Sequence, residues 1–261
     1  MRTLLASTAV AALALAGCQS SMTADTMDDA APMMADGEIM VPAYIQAAVD
    51  STARTEDMRA RDMTRHPGEV LALSGVEPGD TVVEFAGFGQ YYGTMLVEIV
   101  GPEGSIDVYD MPYTDAFAGE PSRAFDAAHD NLSYHQVDYN DAALPDDVDV
   151  VFNVLYFHDL EFNGIDIAAL NAKIYDALKP GGTFLVIDHK AEEGSGRRDA
   201  ETLHRMETSL IVDEVTAAGF ELAAESDLLS YPTDDRTQLV FAEGLRGETD
   251  RALYVFRKPA M

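Results

Sequence analysis

The sequence feature that most constrains the fold is an apolar run over residues 148–156, near the middle of the chain. Its length and its β-branched content are typical of a strand buried on both faces, as in a parallel sheet. Shorter runs of the same kind predict strands at residues 81–85, 105–109, 133–137, 183–187, 220–224 and 252–257. Helical patterns lie between them, at intervals of about 20–30 residues. This alternation predicts a doubly wound, mostly parallel seven-stranded α/β sheet with an antiparallel last strand.

The helices are predicted from apolar residues that recur at helical spacing. Residues 43–66 are polar and helix-like, and Pro67 is expected to open a short helix over 68–74. Further helices are predicted near residues 92–99, 167–178 and 201–218. Hydrophobic residues make up 47% of the 261 residues. This suffices for one core, so we expect a single domain over residues 43–261.

The N-terminus is typical of an exported protein. Behind Arg2, an apolar run over residues 4–16 is too short to span a bilayer and ends in Leu15-Ala16-Gly17-Cys18. These four residues resemble the lipobox of bacterial lipoproteins, in which the cysteine is acylated. The resemblance implies a signal peptide over 1–17, a lipid anchor at Cys18, and a location on the outer membrane facing the periplasm. The alternative is an ordinary signal peptide in which Cys18, the only cysteine of the chain, has no such role.

Residues 18–42 are predicted to tether the domain to its anchor, and the overall charge limits the partners that the domain can bind. The segment is acidic and Met-rich and contains no basic or aromatic residue, which predicts a disordered tether.

The chain has 46 acidic and 17 basic residues and a formal charge of −29. A surface of this charge repels phosphate backbones and anionic headgroups, so nucleic acid and anionic lipid are excluded as partner classes. A small-molecule substrate is the remaining expectation; the sequence indicates no oligomeric state.

A glycine-rich turn follows the first predicted strand. In doubly wound sheets the ligand crevice lies beyond the carboxyl ends of the strands. Here Glu84 ends a strand, and Gly87 and Gly89 follow it, a composition that lets the backbone approach a nucleotide-like ligand closely. Asp110 ends the second strand, where it is placed to accept both ribose hydroxyls. Asp138 closes the third strand, where it is placed to meet an adenine edge.

At these motifs the chain resembles the class I S-adenosylmethionine-dependent methyltransferases. The resemblance rests on the segments EFAGFGQYYG, DYNDAALP, DVDVVFNVLYF and LKPGGTFLVIDH. It implies the Rossmann-like methyltransferase fold, S-adenosylmethionine as the cofactor, and methyl transfer to a small acceptor. The cofactor residues it implies are Glu84, Gly87, Gly89, Asp110 and Asp138. Residues 43–259 also resemble an uncharacterised group of bacterial predicted methyltransferases, through DHKAEEGSGRRD, ETLHRME, VTAAGFELAAESDLL, DDRTQ and FRKP.

The turn departs from the pattern of that family. The family's three glycine positions are occupied by Ala86, Phe88 and Gln90. A Cβ is disfavoured at such positions where φ is positive, and the Phe88 ring stands where backbone and ligand normally touch. Two other interpretations therefore stay open at this point. One is a methyltransferase fold that has lost its cofactor and acts as a binding lipoprotein, and the other is an NAD-type site.

Histidine–aspartate pairs follow the fourth and fifth predicted strands. They are His158-Asp159 and Asp188-His189, and parallel neighbouring strands would bring both pairs to one rim of the sheet. We expect His158 and His189 to lie within about 10 Å of each other and to serve as a general base, with the carboxylates orienting the rings. His204, on the predicted helix over 201–218, is expected nearby. The same groups suit a divalent metal, which leaves a different, metal-assisted enzyme as a further alternative.

Overall fold

The computed structural model describes residues 34–35 and 38–260. The expected signal peptide, Cys18 and most of the expected tether lie outside these residues. The described part begins with a short antiparallel pair of strands, Met34–Ala35 and Glu38–Ile39. Within it, no helix combines the length and the apolar character needed to cross a membrane.

One seven-stranded sheet organises the domain, as predicted. Its strands are β1 (Thr81–Phe85), β2 (Ser105–Asp110), β3 (Leu132–Gln136), β4 (Val148–Val154), β5 (Leu178–His189), β6 (Glu221–Ser226) and β7 (Arg251–Arg257). Their spatial order is β3-β2-β1-β4-β5-β7-β6. The first five are parallel, whereas β7 is antiparallel to both β5 and β6. The order in which successive strands are added to the sheet therefore reverses between β1 and β4, which is where such sheets form their ligand crevice.

Helices cover both faces of the sheet. They are α1 (Ala43–Val49), α2 (Glu56–Arg59), α3 (Asp62–Arg65), α4 (Pro67–Ser74), α5 (Gly93–Val100), α6 (Asp115–Ala127), α7 (Ile167–Ala177), α8 (Ala200–Leu203) and α9 (Ser209–Ala217). Side chains of α1, α4 and α5 pack with Val82, Val150 and Leu185 on one face. Side chains of α7 and α9 pack with Val83 and Val151 on the other. Alternate residues of β1 and β4 thus enter two cores, because successive side chains of a strand point to opposite faces.

Three local predictions differ from the structure. Residues 43–66 form three short helices instead of one helical stretch. The helix predicted over 201–218 is two helices, α8 and α9, because His204 has left-handed backbone (φ 54°) and Arg205 turns into the interior to pair with Asp234. Strand β5 already starts at Leu178, so the Lys-Pro-Gly-Gly segment that was expected to precede the strand lies within it, beside an irregularity in its pairing with β4.

Candidate active site

A cavity of about 280 Å³ opens beyond the carboxyl ends of β1, β4 and β5. It is bordered by the glycine turn, by the segment after β4, and by side chains of the N-terminal helices. Its lining residues are Arg61, Arg65, Glu84, Ala86, Gly87, Phe88, Gly89, Gln90, Tyr91, Tyr92, Val154, Leu155, Tyr156, His158, Asp159, His189, His204, Val240, Phe241 and Arg246. The cavity therefore joins the predicted cofactor turn and the predicted histidine rim in a single space.

The glycine turn is a single 3₁₀ turn over Gly87–Gly89, flanked by residues in left-handed conformation. Ala86 has φ 58° and Gln90 has φ 51°, so the chain follows a path that favours glycine without having glycine there. Gly87 is needed for another reason. A Cβ on Gly87 would lie 2.7 Å from Val108 Cγ1 and 3.0 Å from Glu84 Oε2. The turn is thus packed directly onto the carboxyl group of Glu84.

Two buried carboxyl groups lie at and below this turn. Burial, together with repulsion from Asp110, raises the pKa of Glu84 to about 8. Burial likewise raises the pKa of Asp110 to about 6. Among the described residues, Glu84 Oε2 has no hydrogen-bond partner, whereas the Asp110 carboxylate has the Tyr134 hydroxyl and the N–H groups of Gly87 and Phe88 as donors beside it. Buried acceptors without a donor are costly, so this part of the site suits a ligand that brings hydrogen-bond donors.

The other residues predicted to bind a cofactor are placed unequally. Gly89 lines the cavity, and a Cβ there would meet nothing within 4 Å. Phe88 also lines it and packs edge-on against Phe117, with the ring centroids 5.6 Å apart. Asp110 is fully buried beneath the turn and does not reach the cavity surface. Asp138 lies two residues beyond β3, accepts a hydrogen bond from the Asn140 N–H, and does not line the cavity.

His158 is the centre of the polar network on the opposite side of the cavity. It lies in a 3₁₀ turn after β4 and is nearly fully buried. Its backbone N–H donates to Asp188 Oδ2 at 2.7 Å, and its Nδ1 lies 2.6 Å from Asp188 Oδ1. Its Nε2 lies 2.8 Å from Asp159 Oδ1 and 3.1 Å from His204 Nδ1. The predicted rim residues therefore do meet, and His204 joins them.

The pairing of these residues differs from the sequence interpretation. Asp188 was expected to orient His189, but it holds His158 instead. His189 pairs with Thr249, whose Oγ1 lies 2.8 Å from His189 Nδ1. The reason is strand geometry: Asp188 and His189 are consecutive in β5, so their side chains point to opposite faces. The His158 and His189 ring centroids are nevertheless 6.1 Å apart.

The network sets opposite charge states for the two histidines. Burial opposes charge on His158, but attraction to Asp188 and the hydrogen bond with Asp159 prevail and raise its pKa to about 10. Burial and repulsion from His158 lower the pKa of His189 well below its ordinary value. The network thus favours the protonated form of His158 and the neutral form of His189. Both ring nitrogens of His158 are engaged in this network, so His158 is less suited than His189 to the predicted role of base.

Arginines that the sequence analysis did not single out form a third part of the site. Arg61, Arg65 and Arg246 line the cavity, and the guanidinium groups of Arg61 and Arg65 lie 4.6 and 4.8 Å from the centroid of the Tyr91 ring. Burial and repulsion from Arg65 and other arginines lower the pKa of Arg61. Among the described residues, none of the three forms an ion pair with a carboxylate. In a chain of charge −29, unpaired arginines at one cavity are unusual and indicate an anion-binding face.

Helix α3 is held in place by a buried ion pair. The Arg54 side chain is fully buried and donates two hydrogen bonds to Asp62, one of them 2.9 Å long. The Tyr91 hydroxyl donates to the same carboxylate at 2.5 Å. Arg61 and Arg65 flank Asp62 and are four residues apart, so they lie on one face of the turn. A signal for this was present in the sequence, since Arg54, Arg59, Arg61 and Arg65 gather in a lysine-poor chain.

Backbone strain is concentrated around the cavity. Seven described non-glycine residues have positive φ, and four of them line this space: Ala86, Gln90, Leu155 and His204. Such conformations are costly for residues with a Cβ and persist where the surrounding structure enforces them. Their clustering shows that backbone conformations of higher energy are concentrated at the cavity, as is common at functional sites.

Comparisons with known proteins show what the sequence and the fold resemble. No family model matches the chain. The ubiquinone/menaquinone biosynthesis C-methyltransferase UbiE of Teredinibacter turnerae is 27% identical over 126 residues, which are 48% of this chain and 49% of that protein. The chain thus spans about half the length of this curated relative.

Solved structures extend the similarity to most of the domain. A SAM-dependent methyltransferase from Aquifex aeolicus superposes with a TM-score of 0.53 at 19% identity, covering 84% of this chain and 99% of that one. The N-methyltransferase NodS of Bradyrhizobium japonicum gives 0.52 at 14% identity, covering 78% and 98%. The chain has the fold of the class I methyltransferases. The same fold is found in the cyclase SpnF, with a TM-score of 0.54, 17% identity and coverage of 81% and 85%, so the reaction must be argued from the site.

Proposed function

We propose that this protein is an S-adenosylmethionine-dependent methyltransferase that acts on a small anionic acceptor. The observation that carries the proposal is the position of the cavity. It lies beside the glycine turn, at the point where the order of the sheet reverses between β1 and β4. In open α/β sheets ligands bind at this point. The sequence similarity to the C-methyltransferase UbiE, over 126 residues, supports methyl transfer as the reaction class.

The residues near the turn suit the proposed cofactor. S-adenosylmethionine carries ribose hydroxyls, an ammonium group and a sulfonium, all of which complement buried acids. Glu84, Gly87 and Gly89 would hold it at the cavity wall, and Glu84 offers an unpaired oxygen to its donors. Asp110 lies beneath the turn, where contact with a ribose requires the turn to shift. When bound, the cofactor would supply an electrophilic methyl group.

The arginines favour an anionic acceptor. Guanidinium groups bind carboxylate and phosphate through paired hydrogen bonds, and Arg61, Arg65 and Arg246 offer donors at the same cavity. The carboxylate of S-adenosylmethionine would compensate only one of these three charges, so a neutral acceptor would leave the other two without a partner. We therefore place the charged end of the acceptor at the arginines and its reacting atom toward the histidines.

His189 is the better candidate for the base that accepts the acceptor's proton. Its Nδ1 is held by Thr249, and its Nε2 has no partner among the described residues. The ring lines the cavity. The geometric requirement for a base is a free nitrogen facing the reacting atom, and His189 meets it while both ring nitrogens of His158 are engaged.

Calorimetry with S-adenosylmethionine tests the cofactor assignment. We expect saturable binding by the purified chain and a loss of at least about tenfold in affinity for Glu84→Ala, since hydrogen bonds to charged groups contribute about 1.5–3 kcal/mol. Glu103→Ala is the matched control, because Glu103 is exposed and remote from the cavity.

The acceptor assignment is tested separately. In methyl transfer to a panel of small carboxylates and their amides, Arg65→Met should raise the KM for the carboxylates and leave affinity for the cofactor unchanged. Absence of binding by the folded wild-type chain would refute the cofactor, and equal activity on the amides would refute the anionic acceptor.

We also propose that the protein is a lipid-anchored envelope protein. The support is the sequence around Cys18, which lies outside the described residues, together with the acidic segment that follows it. An acidic domain held near anionic lipid would be repelled by the headgroups, so a covalent anchor would have to provide the attachment.

A further inference from the structure

We propose that His158, Asp159 and His204 bind one divalent transition-metal ion at the wall of the cavity. The ligand atoms are His158 Nε2, Asp159 Oδ1 and His204 Nδ1. This inference goes beyond methyl transfer and does not depend on it. It rests on four observations: the spacing of the three atoms, the buried partner of His158, the backbone at His204 and the opening toward the cavity.

The three atoms form a triangle of the size that one metal ion requires. His158 Nε2 lies 2.8 Å from Asp159 Oδ1 and 3.1 Å from His204 Nδ1. The third side, from His204 Nδ1 to Asp159 Oδ1, is 3.2 Å. Ligand atoms bound to one zinc ion at about 2.0–2.2 Å lie about 2.9–3.5 Å apart in octahedral or tetrahedral geometry. A small outward movement of Asp159 would therefore suffice to admit the ion.

Asp188 prepares His158 for this role. Its carboxylate is fully buried, lies 2.6 Å from His158 Nδ1, and is itself fixed by the backbone N–H groups of His158 and His189. A carboxylate on Nδ1 holds the proton there and turns the other ring nitrogen, Nε2, into the ligand atom. Histidine ligands of metals are held in the same way, by a carboxylate or carbonyl on the far nitrogen.

The backbone at His204 is shaped to bring its ring to the other two residues. His204 ends α8 in left-handed conformation, with φ 54°. The next residue, Arg205, is fully buried, donates to the carbonyl oxygens of Lys190 and Gln238, and pairs with Asp234. These contacts fix a conformation that is rare for a residue with a Cβ, and they place His204 Nδ1 against His158 and Asp159.

The metal would keep an open coordination position. All three proposed ligands line the cavity, and His204 is about one-quarter exposed, with a side-chain exposure of 27%. Three protein ligands with an open side are typical of catalytic rather than structural sites. Two imidazoles and one carboxylate suit zinc, iron, manganese or nickel, and Asp159 with Asp188 balances a charge of +2. The open position would take water or an oxygen atom of a bound ligand.

Metal titration tests the proposal without any assay of activity. The full chain carrying Cys18→Ser, which removes its only thiol, is stripped with EDTA and titrated with Zn²⁺ by calorimetry, and with Co²⁺ by visible absorption. We expect one ion per chain. His158→Ala and His204→Ala should each weaken Zn²⁺ binding by at least about 100-fold, and Asp188→Asn by about 10–100-fold, as for other outer-shell partners.

His135→Ala is the matched control. His135 also pairs with a carboxylate, at 2.7 Å from Asp107, but at the far edge of the sheet. Its substitution should leave Zn²⁺ affinity unchanged. No saturable binding by a chain whose circular dichroism shows it folded would overturn the proposal, as would equal affinities in wild type and both histidine variants. In either case the cluster is a network of hydrogen bonds held together by protons.

Discussion

At the scale of single residues, Glu84 shows how the site makes stability depend on pH. Burial, with repulsion from Asp110, raises its pKa from 4.5 to about 8 in the folded chain. The folded state therefore binds the proton of Glu84 more tightly than the unfolded state does. The resulting stabilisation is fully present below about pH 4.5 and is lost as the pH rises to about 8 and above. Ionised Glu84 is stable in place only with a partner, which is what a bound cation would provide.

Glu84→Gln should remove this dependence, because the amide keeps the shape and stays neutral. The free energy of unfolding of the variant, relative to wild type, should rise by on the order of 3 kcal/mol between pH 5 and pH 8. Urea unfolding at several pH values measures it, with the exposed Glu103→Gln as control. A difference between variant and wild type that does not change with pH would show that Glu84 is already ionised in the folded chain.

The residue pairings could not be predicted from the sequence alone. That His158 and His189 share one rim follows from parallel strands, and the apolar runs of β4 and β5 are evident in the sequence. Which carboxylate meets which ring depends on the direction of each side chain and on the turn after β4. Asp188 and His189 are consecutive in the sequence, but their side chains point to opposite faces of β5. Asp188 therefore hydrogen-bonds to His158, and Thr249 hydrogen-bonds to His189.

At the scale of elements, the short helix α3 carries the anion-binding face. It has four residues and no buried side chain, so its own propensity is not enough to fix it. The fully buried Arg54 and the Tyr91 hydroxyl fix it instead, through Asp62. The position of Arg61 and Arg65 at the cavity thus depends on one carboxylate.

Asp62→Ala should therefore affect both stability and binding. It leaves Arg54 buried and uncompensated, and since Asp62 is itself partly exposed we expect a loss of about 1–3 kcal/mol of unfolding free energy. Affinity for an anionic acceptor should fall with it. Asp115→Ala is the control, because the pair between Asp115 and Arg123 is half-exposed and screened by solvent, so its loss should change stability little. Equal effects of the two substitutions on thermal unfolding would contradict the assignment.

The elements that sequence patterns predicted well are those with strong apolar periodicity. All seven strands were predicted in this way, whereas the helix after Pro67 was predicted from its proline. The short helices of residues 43–66 and the helix break at His204 could not be predicted in this way, because contacts with residues distant in the sequence determine them. Arg54 pairs within its own segment but packs against Tyr91, and Arg205 reaches Asp234 across 29 residues. Such contacts override local helix preference.

At the scale of the whole molecule, the predicted export of the chain has to be reconciled with the cofactor that the proposed reaction requires. The described domain has the class I methyltransferase fold, while the sequence before it predicts export. S-adenosylmethionine is made in the cytoplasm, so an exported enzyme would need either a supply of cofactor across the membrane or cofactor bound before export. Tight binding to the buried acids at the turn would serve the second route, and the calorimetric affinity bears directly on it.

The location itself is tested by Cys18→Ser. If Cys18 is acylated, the variant should remain an unprocessed precursor or leave the membrane fraction, because the thiol that carries the lipid is gone. Ser21→Ala, three residues further on, is the control and should fractionate as wild type does. Fractionation followed by immunoblotting distinguishes the outcomes, and metabolic labelling with a fatty acid shows the acyl group directly. If the Cys18→Ser chain migrates and fractionates like wild type, the lipid anchor is refuted, and with it the reason to place the protein at the outer membrane.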